Sequence, residues 1–164
     1  MSQEAMGAMG PMGGMGAQPL ELPEEDLSAL LAAQRFGALA TNGGGGRPQL
    51  STVVYTWDPP RRVVRISTVA DRLTVRRLHQ DPRCALYVTS DDFGSYAVAE
   101  GEAELSPVTD RPGDEVGLEL LAMQPSFGDA AGELAFLHRM VADRRLVVRI
   151  QAKRLYGALL PAPS

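Results

Sequence analysis

At 164 residues, with 45% hydrophobic residues and a formal net charge of -4, the chain is sized for one domain with a substantial core, and its acidic balance opposes nucleic acid as a partner. Its single cysteine, Cys84, excludes an intramolecular disulfide framework and any multi-cysteine metal site, and no apolar run reaches the roughly 18 residues of a membrane span. A soluble cytoplasmic protein without a signal peptide and without a membrane partner is the expectation.

Residues 1–20 read as a disordered Met/Gly-rich tail, with Met6, Met9, Met12 and Met15 each followed by glycine and too few bulky apolar groups to offset the entropy of ordering. Residues 21–164 read as one folded domain. Leu22-Pro-Glu-Glu-Asp-Leu27 is a helix start, with proline in the first turn and three acids at the positive end of the dipole. Leu27, Leu30 and Leu31 share one face of that helix, and Phe36-Gly37 closes it. A short strand, Ala38 to Thr41, is followed by four glycines, Gly43 to Gly46, which make a hairpin loop and lack the Lys-Ser/Thr ending of a phosphate-cradling loop.

Pro48 to Trp57 alternates as a strand, with Val53, Tyr55 and Trp57 on one face and Leu50, Thr52 and Val54 on the other. Asp58-Pro-Pro-Arg61 is a turn, and Val63 to Ser67 returns as the next strand. After Ala70-Asp71 a helix is expected to run to about His79, ended by Asp81-Pro82. It places Arg72, Arg76 and His79 on one side and Val75 and Leu78 together on another. Cys84 to Thr89 is a strand, Ser90 to Gly94 a turn in which Asp91 and Asp92 serve turn chemistry, and Ser95 to Leu105 a long strand. In its second half Glu100, Glu102 and Glu104 form a solvated face.

Helices are expected over Asp114 to Met123 and Gly132 to Ala142, with Val116, Leu120 and Met123 inward on the first and Leu134, Leu137 and Val141 on the second. Arg145 to Ile150 is a sixth strand and Leu155 to Leu159 a last extended piece. Six strands with sequential antiparallel pairing and helices inserted late predict a mainly β, α+β fold: a closed or half-closed antiparallel barrel with peripheral helices.

Of the 16 basic residues 15 are arginine, a compositional bias, so only local clustering carries information. The cluster lies between Ser67 and Arg83, where Arg72, Arg76, Arg77 and Arg83 face only Asp71 and Asp81. Arginines at a helix start suit a phosphate, because guanidinium forks add to the unpaired amides and the dipole. The bland alternative is a set of salt bridges to Asp71, Asp81 and glutamates elsewhere. No nucleophile with its base occurs, and His79 and His138 are too far apart in sequence for a local metal motif, so no catalytic side chain and no metal site is assigned. If the protein is an enzyme, a bound cofactor carries the reaction.

Gly46-Arg-Pro-Gln-Leu-Ser-Thr-Val53, Asp58-Pro59, Arg72 with Leu78 and Asp81-Pro-Arg83, Ser95-Tyr-Ala-Val-Ala-Glu-Gly101, and Asp143-Arg-Arg145 before Tyr156-Gly157 follow one another in an order and spacing that resembles the split β-barrel flavin and deazaflavin oxidoreductases. These are relatives of pyridoxamine-phosphate oxidase, and the resemblance is greatest to the mycobacterial-type members that bind coenzyme F-420. It covers about Leu27 to Leu159. It implies a six-stranded, FMN-binding-like split barrel and a homodimer with the cofactor in a groove between two barrels.

Carried over by position, Pro48, Gln49, Leu50, Ser51 and Thr52 would line the ring and ribityl chain. Ser67 and Arg72 would meet the phosphate, with Arg77 close by, and Ser95 and Tyr96 would approach from the partner subunit. Thr74 stands where many relatives have lysine, and Gly94 where many have an aromatic residue, which leaves F-420 and FMN both open. The implied activity is hydride transfer between the reduced deazaflavin and an unsaturated small organic substrate. The alternatives are an FMN-dependent oxidase-like enzyme and a non-catalytic binder of F-420 or of haem, for which His79 is the one axial ligand considered.

Overall fold

The computed structural model describes residues 17–162. Apart from residues 17–20, the expected Met/Gly-rich tail lies outside the described residues. At its end Leu20–Glu21 forms β1, which pairs with Leu159 and Ala158.

The elements then run α1 (Glu24–Ala33), β2 (Phe36–Asn42), β3 (Pro48–Asp58), β4 (Val63–Val69), α2 (Leu73–Gln80), β5 (Arg83–Thr89), β6 (Ser95–Leu105), α3 (Glu115–Ala122), α4 (Ala130–Ala142) and β7 (Arg145–Leu159). Strands β2 to β7 form a six-stranded antiparallel closed barrel in the cyclic order β2-β3-β4-β7-β6-β5, with β1 added beside β7. The predicted fold class stands.

Closure rests on β7, which pairs with β4 over Arg145 to Gln151 and with β6 from Val148 to Leu159. The sequence suggested a strand and a separate extended piece here, because Gln151, Lys153 and Arg154 interrupt the apolar pattern. These three side chains point to solvent on one continuous strand. A bulge keeps it in register: Glu100 faces Arg154 and Gly101 faces Ala152, so Lys153 is the extra residue.

The barrel interior holds Leu39, Tyr55, Val64, Ile66, Leu86, Val88, Val148 and Ile150, and α1 packs Leu27 and Leu31 into it. The hydroxyl of Tyr55 donates to the carbonyl of Leu31 at 2.5 Å, and Trp57 Nε1 donates to Ser28 Oγ at 2.9 Å, which ties α1 to β3. Phe36 and Gly37 do not close α1, as expected from sequence, but open β2 opposite Val54 and Val53. The β2–β3 hairpin turns through Gly44–Gly46, where Gly45 and Gly46 adopt left-handed φ of 79° and 75° that side-chain-bearing residues resist.

A second apolar cluster, Val116, Leu120, Met140 and Val147, binds α3 and α4 to β7, with Met123 and Phe136 against it. On α4 Leu137 is buried as expected and Val141 is half-buried, but Met140 is buried and Leu134 exposed, a modest rotation of the expected face. No helix among the described residues is long and apolar enough to cross a membrane.

Candidate functional site

The β3–β4 ladder is short, running only from Asp58 opposite Val63 to Tyr55 opposite Ile66. Beyond it both strands continue, but β3 is paired only to β2 and β4 only to β7. The amide of Tyr55 donates to the Arg35 carbonyl on the β2 side at 3.0 Å. By strand alternation the peptide groups of Val54 and Thr52 therefore face the gap. The same alternation, carried across the Thr56 and Arg65 pair, turns those of Ser67 and Val69 toward it.

These four residues line a cavity of about 530 Å³ in the split between the strands. Leu39, Ile66 and Val148 of the core form its floor, Phe136 and Met140 of α4 cover it, and Gln124 reaches in from the loop between α3 and α4. The roof is held by ion pairs beneath α3. Glu119 accepts from Arg149 Nε at 2.8 Å and from Arg65 Nε at 3.0 Å, so one carboxylate bridges β7 and β4. The pairing holds the Glu119 carboxyl below the usual glutamate range, chiefly through the hydrogen bond from Arg149.

Two arginines line the cavity, Arg72 and Arg145, and no carboxylate does. Arg145 Nη1 donates to Ser67 Oγ at 3.3 Å, while its Nε is buried without an acceptor among the described residues. A buried donor left unpaired costs about 1–3 kcal/mol. An anionic group entering the cavity would satisfy it. Arg72 is the residue before α2, whose first turn receives no side-chain cap, and Thr74 adds a hydroxyl at that turn. The helix begins at Leu73, within a residue of the expected start after Asp71, so Arg72 precedes it in extended conformation.

Of the residues proposed from sequence, Ser51, Thr52, Ser67, Arg72 and Thr74 line this cavity together. Pro48 lies elsewhere, on a cavity of about 370 Å³ beside Asn42, Arg83, Glu102 and Lys153. Charges there neutralise one another: Arg83 pairs with Asp81 at 2.7 Å and Lys153 with Glu102 at 3.2 Å, which makes it a poor anion site. Gln49 is half-buried and Leu50 is 74% exposed on the outer face of β3. Arg77 is half-buried on α2 and lines neither cavity. Ser95 and Tyr96 sit at the start of β6, where Tyr96 stacks on Tyr87 with ring centres 5.6 Å apart. His79 is exposed on α2, away from Val75 and Leu78.

Arg145, Gln124, Phe136 and Met140 also line the cavity, though none was expected there from sequence. No local signal marks them. Arg145 becomes a cavity residue because β7 pairs with β4, bringing Val69 opposite Arg145 across a long stretch of chain.

This barrel with a split between β3 and β4 has known counterparts. A conserved hypothetical protein from Mycobacterium tuberculosis superposes with a TM-score of 0.67 at 23% identity, covering 87% of this chain and 91% of its own. An F420 reductase gives 0.57 at 22% identity over 82% and 98%, and an FAD-binding protein from Mesorhizobium loti 0.61 at 17% over 86% and 96%. At these identities the likeness is one of fold. A family model reaches further, matching residues 23–157, from the foot of α1 almost to the end of β7, and on that match the chain belongs to the pyridoxamine 5'-phosphate oxidase family.

Proposed function

We propose that the chain is an oxidoreductase that binds coenzyme F-420 in the β3–β4 split, with FMN as the alternative cofactor, and acts on an unsaturated small organic substrate. The observation that carries this reading is the cavity itself: two arginines without acidic partners, one of them with an orphaned buried donor, beside strand edges whose peptide groups have no ladder. That donor set fits a flat cofactor with a phosphate at one end. Arg72 and Arg145 would hold the phosphate, Thr74 would add a hydroxyl, and the peptide groups of Thr52, Val54 and Ser67 would meet polar ring edges. Phe136 and Met140 would keep water from the other side. Bound there, the reduced cofactor supplies a hydride, and the protein contributes position and a dry wall rather than an acid or base.

Solved proteins of this fold include one named an F420 reductase and one named FAD-binding, which supports a flavin-type ligand. A homodimer, with Ser95 and Tyr96 delivered by the partner subunit, is supported by the apolar outer face of β2, β3 and β5. Phe36 is 61%, Val54 48% and Tyr87 43% exposed there, on neighbouring strands. Haem finds less support, since the cavity lining contains no histidine or cysteine and His79 points elsewhere. Binding without turnover remains the second reading, favoured by the absence of any carboxylate, histidine or cysteine from that lining.

The test is a titration of the protein with F-420 and, separately, with FMN, beside Arg72→Ala. Loss of one charge-assisted contact should weaken binding about tenfold or more. Equal affinity in wild type and variant would refute the phosphate assignment, and no binding of either cofactor at tens of micromolar would sink the reading.

A further inference from the structure

The cavity in the split shares part of its wall with another. Val54, Ser67 and Gln124 line both it and a second chamber of about 340 Å³ on the other side. That chamber is walled by Ala32 and Arg35 from the end of α1, by Trp57 of β3, and by Met123 and Pro125 of the loop after α3. Its volume is at the small end for a ligand pocket, enough for a molecule of one or two rings.

Its walls set the apolar side chains of Ala32, Val54, Trp57, Met123 and Pro125 beside the polar ones of Gln34, Thr56, Ser67 and Gln124, and again include no carboxylate. Arg35 is their only charged residue, and it has no carboxylate within ion-pair distance among the described residues. The adjacent Gln34 donates from Nε2 to Asp91 Oδ1 at 3.2 Å. The chamber thus offers one guanidinium without an ion-pair partner among the described residues, at the edge of a slot with apolar and polar walls, and it shares a wall with the cavity assigned to the cofactor.

We propose that this chamber is the acceptor subsite and that it takes a small, flat, unsaturated organic acid, its carboxylate at Arg35 and its apolar body against Val54, Met123 and Pro125. The proposal rests on reading the neighbouring cavity as the cofactor site, because only then is the shared wall the place where the two molecules touch. In the reaction the acceptor's double bond gains a hydride from the reduced cofactor, which is thereby oxidised, and a proton from water. Neutral molecules of the same shape fit the slot but forgo the guanidinium, so charge sets the preference and the apolar walls set the shape.

The experiment compares trans-cinnamate with its neutral counterpart, cinnamyl alcohol, by calorimetry on wild type, Arg35→Ala and Ala32→Phe. Quenching of the single tryptophan, Trp57, is a second readout, and F-420 and FMN are titrated in parallel. Both substitutions are at exposed positions at the end of α1, and thermal melts check the fold. Cinnamate should bind wild type more tightly than the alcohol. Arg35→Ala should weaken cinnamate about fivefold at low ionic strength, with the difference shrinking in high salt, and leave the alcohol unchanged. Ala32→Phe should weaken both, and neither change should alter cofactor affinity.

Equal cinnamate affinity in wild type and Arg35→Ala overturns the proposal, as does an absence of cinnamate binding. So does a parallel loss of cofactor affinity in Ala32→Phe, which would make the chamber part of the cofactor's own site. Arg35-dependent binding of cinnamate in a protein that binds neither cofactor would uphold the acid subsite and refute the cofactor reading alone.

Discussion

Arg145 donates from Nη1 to Ser67 Oγ at 3.3 Å, across the junction of β7 and β4, and its buried Nε has no acceptor among the described residues. Stability alone does not account for such an arrangement. A buried N–H without an acceptor costs free energy that an apolar side chain of similar length would not.

Arg145→Met therefore separates the two roles. Removing the orphaned donor should leave the melting temperature unchanged or higher, while affinity for the phosphate-bearing cofactor falls about tenfold or more. Thermal melts and the cofactor titration check it together. A large loss of stability with cofactor affinity intact would make Arg145 a structural residue.

Glu119 is the carboxylate between Arg65 and Arg149, with its side chain only 19% exposed. Glu119→Leu leaves Arg65 with only Asp58 and Arg149 with only Glu104 as carboxylate partners, and should cost about 1–3 kcal/mol in urea unfolding. Faster hydrogen exchange in α3 should accompany the loss, since that helix is held to β4 and β7 by this residue. A cost below about 0.5 kcal/mol would put the pair among ordinary surface ion pairs.

Gly101 lies where β6 meets the bulge of β7, and a methyl group built on it collides with the backbone carbonyl of Gln151. Backbone on both sides leaves nothing flexible to give way. Gly101→Ala should therefore destabilise by about 1–3 kcal/mol or more, read as a lowered urea midpoint. An unchanged midpoint would mean that the bulge adapts freely.

Asp114 caps α3, accepting from the Gly117 amide at 2.7 Å and from Thr109 Oγ1 at 2.8 Å. Burial alone would raise its pKa, but these bonds and those from the amides of Asp110 and Arg111 outweigh it and hold the carboxyl down to about 2. With the folded value below the unfolded one, of about 4, the capping contribution is complete above the unfolded value and fades as pH falls. Asp114→Ala should cost about 1–2 kcal/mol at neutral pH. The gap in melting temperature between wild type and variant should close as pH falls through about 2. A gap independent of pH would show that the lost contribution is packing.

Much of the barrel was legible in the chain because its signals are local. Alternation along Pro48 to Trp57 put Val53, Tyr55 and Trp57 inward, and Val75 with Leu78 set the buried side of α2. Signals weakened where tertiary pairing overrode the pattern. Gln151 to Arg154 looks like a break and is the exposed face of the strand that closes the barrel, and Leu134 looks inward and is not.

By itself, then, the sequence determined most of the strands and their faces, a single cysteine that rules out an internal disulfide, and a cationic stretch around Arg72. Only the tertiary structure decided where that stretch opens. The β3–β4 ladder stops at Tyr55 and Ile66, and β7 brings Arg145 beside Ser67, two facts set by long-range hydrogen-bond register. Arg145, Gln124 and Arg35 carry no mark in their own neighbourhoods of chain. They join one groove because a split barrel leaves peptide edges unpaired and folds distant segments over them.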